Sequence, residues 1–252
     1  IKLQMNNPEY LNKAARLRSA MRGFIQFANI KEQGTQEPIL IYDRLGEPNK
    51  DMLEENLAYI EKGEMAVTFA TGMGAISGVL GVLTKSGDEI ITHATLYGCT
   101  ISLFNNWYPR YNIAVHPTDL TDTDNILKFA NENTRVIYLE SPANPNLDII
   151  DIGAMRIIVD ELNKNRKHED KIQIVVDNTF ATPYCQRPIE LGADFTVHSL
   201  TKGINGFGTD MGGVVIRNHN VAPLLSKYLG SDTDIIHNYD KDASKALLTK
   251  KI

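Results

Sequence analysis

Cysteine is scarce in this sequence. Its 252 residues include two, Cys99 and Cys185, too few for a disulfide framework and too far apart in the chain to form a close metal-ligand pair. No metal site is expected, and reduced thiols suit a soluble, cytoplasmic protein. Long apolar stretches are missing as well: no run of about 18 apolar residues exists that could span a bilayer. The amino terminus, Ile1-Lys2-Leu3-Gln4, has neither a signal-peptide apolar region nor an Arg-rich transit pattern, so neither export nor a membrane partner is expected. Basic runs are also lacking, and with a net charge of −5 the chain offers no footprint for a nucleic-acid backbone. What remains is 42% hydrophobic and 23% charged, an ordinary globular balance that excludes disordered and collagen-like classes.

From residue 46 onward, short apolar runs alternate with helical patterns. Strands are expected at Ala66–Ala70, Asp88–His93, Ile113–His116, Arg135–Glu140, Lys171–Asp177, Asp194–Ser199 and Gly213–Arg217. Helices are expected at Met52–Lys62, Met73–Leu83, Thr100–Tyr111, Asp124–Asn133 and Ile152–Arg166, where apolar residues recur every three or four positions. Continuous apolar strands joined by helices imply an α/β fold with a mostly parallel sheet covered on both faces, and ligands of such sheets sit at the carboxyl ends of the strands. The first 41 residues lack this rhythm, although Leu11–Phe27 has a basic helical pattern; Val221–Leu229 could be one more helix, and Ser231–Ile252 is polar and weakly periodic. The expected organisation is an amino-terminal arm (1–45), a large domain (46–217) and a carboxyl-terminal remainder (218–252) in which no second core is read.

Four segments carry chemistry. Thr71-Gly72-Met73-Gly74-Ala75-Ile76-Ser77-Gly78 follows an apolar strand and opens a helix, a place where free backbone N–H groups bind an anion. A dinucleotide-binding glycine loop is the alternative, but the third glycine comes one place late for G-x-G-x-x-G and the next strand ends in His93 and Ala94, with no acid for a ribose. A single phosphate fits better. In Val175-Val176-Asp177-Asn178-Thr179, an apolar strand delivers Asp177 to the sheet edge, where a carboxylate needs a cationic or hydrogen-bonding partner; a plain turn cap is the ordinary reading. His198-Ser199-Leu200-Thr201-Lys202-Gly203 places two hydroxyls and an amine at another strand end, able to hold a phosphate and form an imine together. Leu96-Tyr97-Gly98-Cys99-Thr100 presents an aromatic ring that could stack on a flat heterocycle.

Taken in chain order, with Leu96–Thr100 after the glycine turn and Glu140-Ser141-Pro142-Ala143-Asn144-Pro145 before Val175–Thr179, these segments closely resemble the Cys/Met-metabolism family of pyridoxal-phosphate (PLP) enzymes, of fold type I. The family includes cystathionine γ-synthase, the cystathionine lyases, O-acetylhomoserine sulfhydrylase and methionine γ-lyase. The resemblance covers about Tyr42 to Arg217, and LYGCT, with Cys99 two places after the tyrosine, looks most like methionine γ-lyase. It implies PLP as cofactor and γ-elimination or γ-replacement on a sulfur amino acid as the reaction. It further implies that Lys202 holds PLP as a Schiff base and shuttles protons while Asp177 keeps the pyridine nitrogen protonated. Gly72 and Met73 amides with Ser199 and Thr201 hydroxyls would hold the phosphate, Asn144 would contact the ring hydroxyl, and Tyr97 would stack on the ring and assist the leaving group. Tyr42 and Arg44 match a Tyr-x-Arg pair that reaches the phosphate of a neighbouring subunit, which implies a homodimeric active unit and a homotetramer.

Two loops depart from the family pattern, Glu47-Pro48-Asn49 and Gly206-Phe207-Gly208-Thr209. No residue matches the arginine that grips the substrate carboxylate in the family's carboxyl-terminal domain. These departures raise a catalytically silent, PLP-binding paralogue as an alternative reading.

Overall fold

The computed structural model describes residues 48–219. Tyr42, Arg44, the Leu11–Phe27 pattern and the chain after residue 219 lie outside the described residues. The chain divides into two compact units between Glu54 and Glu55. Of the first, the described part is the opening half of helix α1 (Pro48–Glu61), which begins on a proline and carries Asp51 in its first turn, both favourable at a helix start. All contacts given below belong to the second unit.

Seven strands form one sheet: β1 (Met65–Phe69), β2 (Glu89–His93), β3 (Ala114–Thr118), β4 (Thr134–Glu140), β5 (Gln173–Asp177), β6 (Phe195–Ser199) and β7 (Gly213–Arg217). Their spatial order is β1-β7-β6-β5-β4-β2-β3. The five strands from β3 to β6 pair in parallel. β7 runs antiparallel between β6 and β1, which leaves β1 pointing the same way as the parallel strands. The expected mostly parallel sheet is therefore present, and each expected strand is found within a few residues of its place.

Pleating sends successive residues of the central strands into different cores. Val136, Tyr138, Val175 and Val197 pack with Ile76 and Leu80 of helix α2 (Gly72–Leu83). Ile137, Leu139, Ile174 and Val176 pack on the other face with Met155 and Val159 of a later helix (Ile152–Asn163). All eight strand residues are fully buried, and burial of each of the seven aliphatic ones contributes roughly 1.5–3 kcal/mol. This two-sided burial makes the strands continuous apolar runs and holds their ends rigidly.

Two expected helices are altered. The one placed at Thr100–Tyr111 starts earlier, as α3 (Gly98–Asn106), and gives way to a 3₁₀ turn at Tyr108–Tyr111, because Pro109 has no N–H to continue the ladder and Asn112 is left-handed. The one placed at Asp124–Asn133 shrinks to a 3₁₀ turn and α4 (Ile126–Phe129). There the Thr134 hydroxyl accepts from the Asn131 N–H and the Asn131 side chain from the Asn133 N–H, so local bonds replace helical ones. The remaining helices are α5 (Ile152–Asn163) and the single turn α6 (Thr182–Cys185), which has no counterpart in the expected pattern.

Because β1, β2, β4, β5 and β6 share a direction, their carboxyl ends share one edge. Gly72, Tyr97, Asn144, Asp177 and Lys202 all follow or end those strands.

Candidate active site

The edge is tightest where β1, β7 and β6 meet. Gly213, the first residue of β7, pairs with both Phe69 and Ser199. A Cβ on Gly213 would come within 2.1 Å of the Thr71 carbonyl oxygen, and a Cβ on Gly72 within 2.8 Å of Ser199 Cβ and 3.0 Å of its hydroxyl. Glycine is required at both places because backbone crosses backbone there. The Thr71 hydroxyl caps α2 by accepting from the Gly74 N–H at 3.0 Å. The first N–H groups of a helix have no intrahelical acceptor, so those of Gly72 and Met73 point out of the helix start beside Ser199. The Met73 side chain instead turns into the core, where its sulfur takes the Thr100 hydroxyl at 3.9 Å.

Ser199, Thr201 and Lys202 form a turn whose shape is held by its neighbours. The Ser199 N–H donates to the Thr179 hydroxyl at 2.9 Å and the Lys202 N–H to the Ser199 carbonyl at 3.1 Å. The Thr201 hydroxyl accepts from the Gly212 N–H at 3.2 Å. The Lys202 side chain is exposed.

Asp177 ends β5 in register with Glu140 at the end of β4. Its Oδ1 accepts the Thr179 N–H at 3.0 Å, and the Tyr138 hydroxyl lies 3.5 Å from Oδ2. Although these donors and His198 favour its charge, withdrawal from water outweighs them and raises the Asp177 carboxyl above its ordinary value. Glu140 is buried and is pushed up to about 7, by burial first and then by the charge of Asp177. Tyr97 stands half-exposed at the start of α3, and its hydroxyl accepts from the Cys99 thiol at 3.4 Å. That contact is the main reason the phenol is raised above its usual range. Asn144, half-buried, follows Glu140 on the next loop.

A buried polar network lies beneath. Glu61 at the end of α1 accepts from Asn178 Nδ2 at 2.8 Å and bonds to His198 Nε2. Gln186 Nε2 reaches Asn178 Oδ1 at 3.0 Å and the Ser141 carbonyl at 2.7 Å. Asn178, His198 and Ser141 each adjoin a site residue, so the network ties three site segments together.

The donor set fits PLP. A half-buried carboxyl that withdrawal from water makes reluctant to ionise is matched by a protonated ring nitrogen. The paired amides and hydroxyls at the Gly72–Ser199 crossing suit a phosphate, and an exposed amine on the same turn suits an aldehyde. Among the described residues, no cluster of three or more His, Cys, Asp or Glu side chains could hold a metal ion, and no helix is long and apolar enough to cross a membrane. The structure brings together Gly72, Met73, Tyr97, Cys99, Asn144, Asp177, Ser199, Thr201 and Lys202 at one edge. Glu140, Tyr138 and Thr179 were not among the expected site residues. Glu140 had a signal: it is an acid closing an apolar strand, the same pattern that marks Asp177.

The Gly72 crossing supplies a test on the fold itself. Gly72→Ala should destabilise the protein by about 1–3 kcal/mol through overpacking against Ser199. Gly81→Ala, on the same helix with nothing within 4 Å of the new Cβ, should stabilise it by about 0.5–1 kcal/mol. Urea unfolding of the two variants checks both signs.

Residues 14–233 match the family described as Cys/Met metabolism PLP-dependent enzyme. Over 212 residues, 84% of this chain and 50% of the relative, the sequence is 43% identical to an L-methionine gamma-lyase of Fusobacterium nucleatum subsp. polymorphum. It is 38% identical to an O-acetyl-L-homoserine sulfhydrylase of Leptospira meyeri, over 73% of this chain and 40% of that one. A solved structure from Campylobacter jejuni, titled as an O-acetylhomoserine (thiol)-lyase with pyridoxyl-lysine phosphate, superposes with a TM-score of 0.68 at 35% identity, covering 75% of this chain and 45% of that one. The chain thus spans about half the length of the curated relatives it matches. By sequence, by sheet topology and by the donor set at the sheet edge, this chain belongs to the Cys/Met metabolism family of PLP-dependent enzymes.

Proposed function

We propose that this chain is the cofactor-binding part of an enzyme that performs γ-elimination on a sulfur amino acid such as methionine, giving a 2-oxo acid, ammonia and a thiol. The observation that carries the reading is the convergence of Gly72, Tyr97, Asp177 and Lys202, distant in sequence, on one edge of a parallel sheet. When bound, PLP supplies an electron sink for the carbanion chemistry of an amino acid. Asp177 holds the proton on the ring nitrogen, and the amides of Gly72 and Met73 with the hydroxyls of Ser199 and Thr201 hold the phosphate. Asn144 contacts the ring hydroxyl. Lys202 Nζ would hold the cofactor through its aldehyde carbon; once the substrate's amino group has displaced it there, the freed amine would carry the α-proton away from Cα, release it, and then take a proton from Cβ.

Tyr97 stacks on the ring, and its raised phenol stays protonated near neutral pH, ready to donate to the departing γ-sulfur. The resemblance of Leu96-Tyr97-Gly98-Cys99-Thr100 to methionine γ-lyase supports elimination over replacement, as does similarity to several proteins named L-methionine gamma-lyase at 38–43% identity. Similarity to a sulfhydrylase favours γ-replacement as the second reading. Tyr42 and Arg44 would complete the phosphate site of a neighbouring subunit, making the active unit at least a dimer.

Product analysis on the full-length protein separates these readings. Methionine alone should yield 2-oxobutanoate, ammonia and methanethiol. If product forms only when sulfide and an O-acyl-homoserine are supplied together, replacement is the reaction. If PLP is retained but no product forms with either substrate, the protein is a silent paralogue.

A further inference from the structure

Glu140 has a role to which neither the similarity nor the proposed reaction assigns it. Its carboxylate closes β4 on the site edge, in register with Asp177. Oε1 accepts the Tyr97 N–H at 2.8 Å, and Oε2 faces the Asn144 N–H at 3.3 Å. The two donors come from different loops, one 43 residues before it in sequence, the other 4 after. One buried side chain therefore joins the turn that carries the aromatic ring to the loop that carries Asn144.

We propose that Glu140 is a positioning residue that clamps these two loops together and so sets where the Tyr97 ring and the Asn144 side chain stand relative to Asp177. The functional meaning of the clamp rests on the reading of this edge as a PLP site; the clamp itself does not. A carboxylate suits the task because it can accept from both N–H groups at once, and bonds from amides to a charged acceptor are roughly twice as strong as neutral ones. An amide side chain cannot do the same. Glutamine has one carbonyl oxygen to offer, and its NH₂ would meet the second N–H donor to donor.

Protonation weakens the clamp for a similar reason, since one oxygen becomes a hydroxyl. The titratable groups facing the carboxylate are Asp177 from β5, Tyr138 from β4 and Tyr97 from the turn before α3. Of these, Asp177 acts to keep the proton on Glu140, and Glu140 is raised to about 7. The longer bond, to Asn144, should therefore loosen first as pH falls through neutrality.

Site-resolved amide hydrogen exchange on the cofactor-free full-length protein tests the clamp directly. In Glu140→Ala, the amides of Tyr97 and Asn144 should exchange about tenfold faster or more. Control amides nearby, such as Ala143, whose N–H donates to the Asp148 carbonyl at 2.9 Å, should be unchanged. In Glu140→Gln the two should split, with Tyr97 protected and Asn144 fast, a pattern that general loosening of the fold does not produce. In the unmodified protein, Asn144 protection, corrected for intrinsic rates, should fall below about pH 7, and this dependence should vanish in Glu140→Gln. Added PLP should give a weaker visible circular-dichroism band in both variants than in the unmodified protein, because the ring of Tyr97 is less fixed. Unchanged exchange at both amides in Glu140→Ala, or equal acceleration at the controls, overturns the clamp. Should Glu140→Ala not fold, the Gln split decides alone. Failure of the unmodified protein to bind PLP would instead overturn the reading of the site, and the exchange data would still decide the clamp.

Discussion

Replacing Lys202 by alanine is expected to leave a folded protein that PLP can no longer label. In the unmodified protein, borohydride treatment after PLP addition should fix the cofactor on the peptide containing Lys202; in the variant, no peptide should carry it. The argument is topological. Lys62, Lys85 and Lys171 each precede a parallel strand and so stand at the opposite edge of the sheet, whereas Lys202 follows β6 on the edge that holds Asp177 and the Gly72 crossing. The substitution should be nearly silent for stability, within about 0.5 kcal/mol, because the side chain is exposed and the turn is held by backbone bonds that alanine keeps. Turnover should fall by at least about 10³-fold, since the variant loses both the covalent attachment and the group that moves the substrate's protons. Labelling that persists in Lys202→Ala at its original position would mean another amine serves the site.

The residues that made this expectation legible are those whose chemistry shows in local sequence. Strands such as Val136–Glu140 and Ile174–Asp177 read clearly because helices cover both faces of the sheet, leaving unbroken apolar runs that end in an acid. The place of β7 was not legible: Gly213-Val214-Val215-Ile216 has the same pattern whether it pairs parallel or antiparallel, and its position between β6 and β1 depends on partners far along the chain. The helix expected after Asp124 failed because the side chains of Asn131 and Thr134 capture backbone N–H groups, a competition that apolar periodicity does not register. Within the site, Lys202, Asp177 and Gly72 each lie in a short run whose residue types suit one task. Glu140 shows the acid at a strand end that marks Asp177, but its task was not legible, because the backbone N–H groups it accepts carry no sequence identity. The buried Glu61–His198–Asn178 network escaped for another reason: its members come from three segments that only the folded sheet brings together.

Asp177→Asn should bind PLP yet lose at least about a hundredfold in turnover, because a neutral amide cannot hold a proton on the ring nitrogen and the developing negative charge then has no sink. The fold should tolerate the change: asparagine keeps an oxygen for the Thr179 N–H, and its NH₂ can donate to the Tyr138 hydroxyl. Without cofactor, the sign of the stability effect is the reverse of the functional one. Asp177 and Glu140 both titrate above their unfolded range in the fold, Asp177 because burial disfavours its charge and Glu140 because burial and then Asp177 do. A group raised in this way stabilises the fold fully below its unfolded value, and that contribution is lost as pH rises through the folded one. The cofactor-free protein should therefore weaken as pH climbs from the carboxylate range of about 4 toward 7 and above. Removing the Asp177 charge relieves its own burial and lowers Glu140, so cofactor-free Asp177→Asn should be more stable than the unmodified protein at pH 8. Saturating PLP should invert that ranking, since a protonated ring nitrogen stabilises the aspartate and not the asparagine. Thermal melts of both proteins at pH 5 and pH 8, with and without PLP, measure the crossing. If Asp177→Asn is the less stable protein under all four conditions, the carboxylate is a structural cap and the proton on the ring is held by something else.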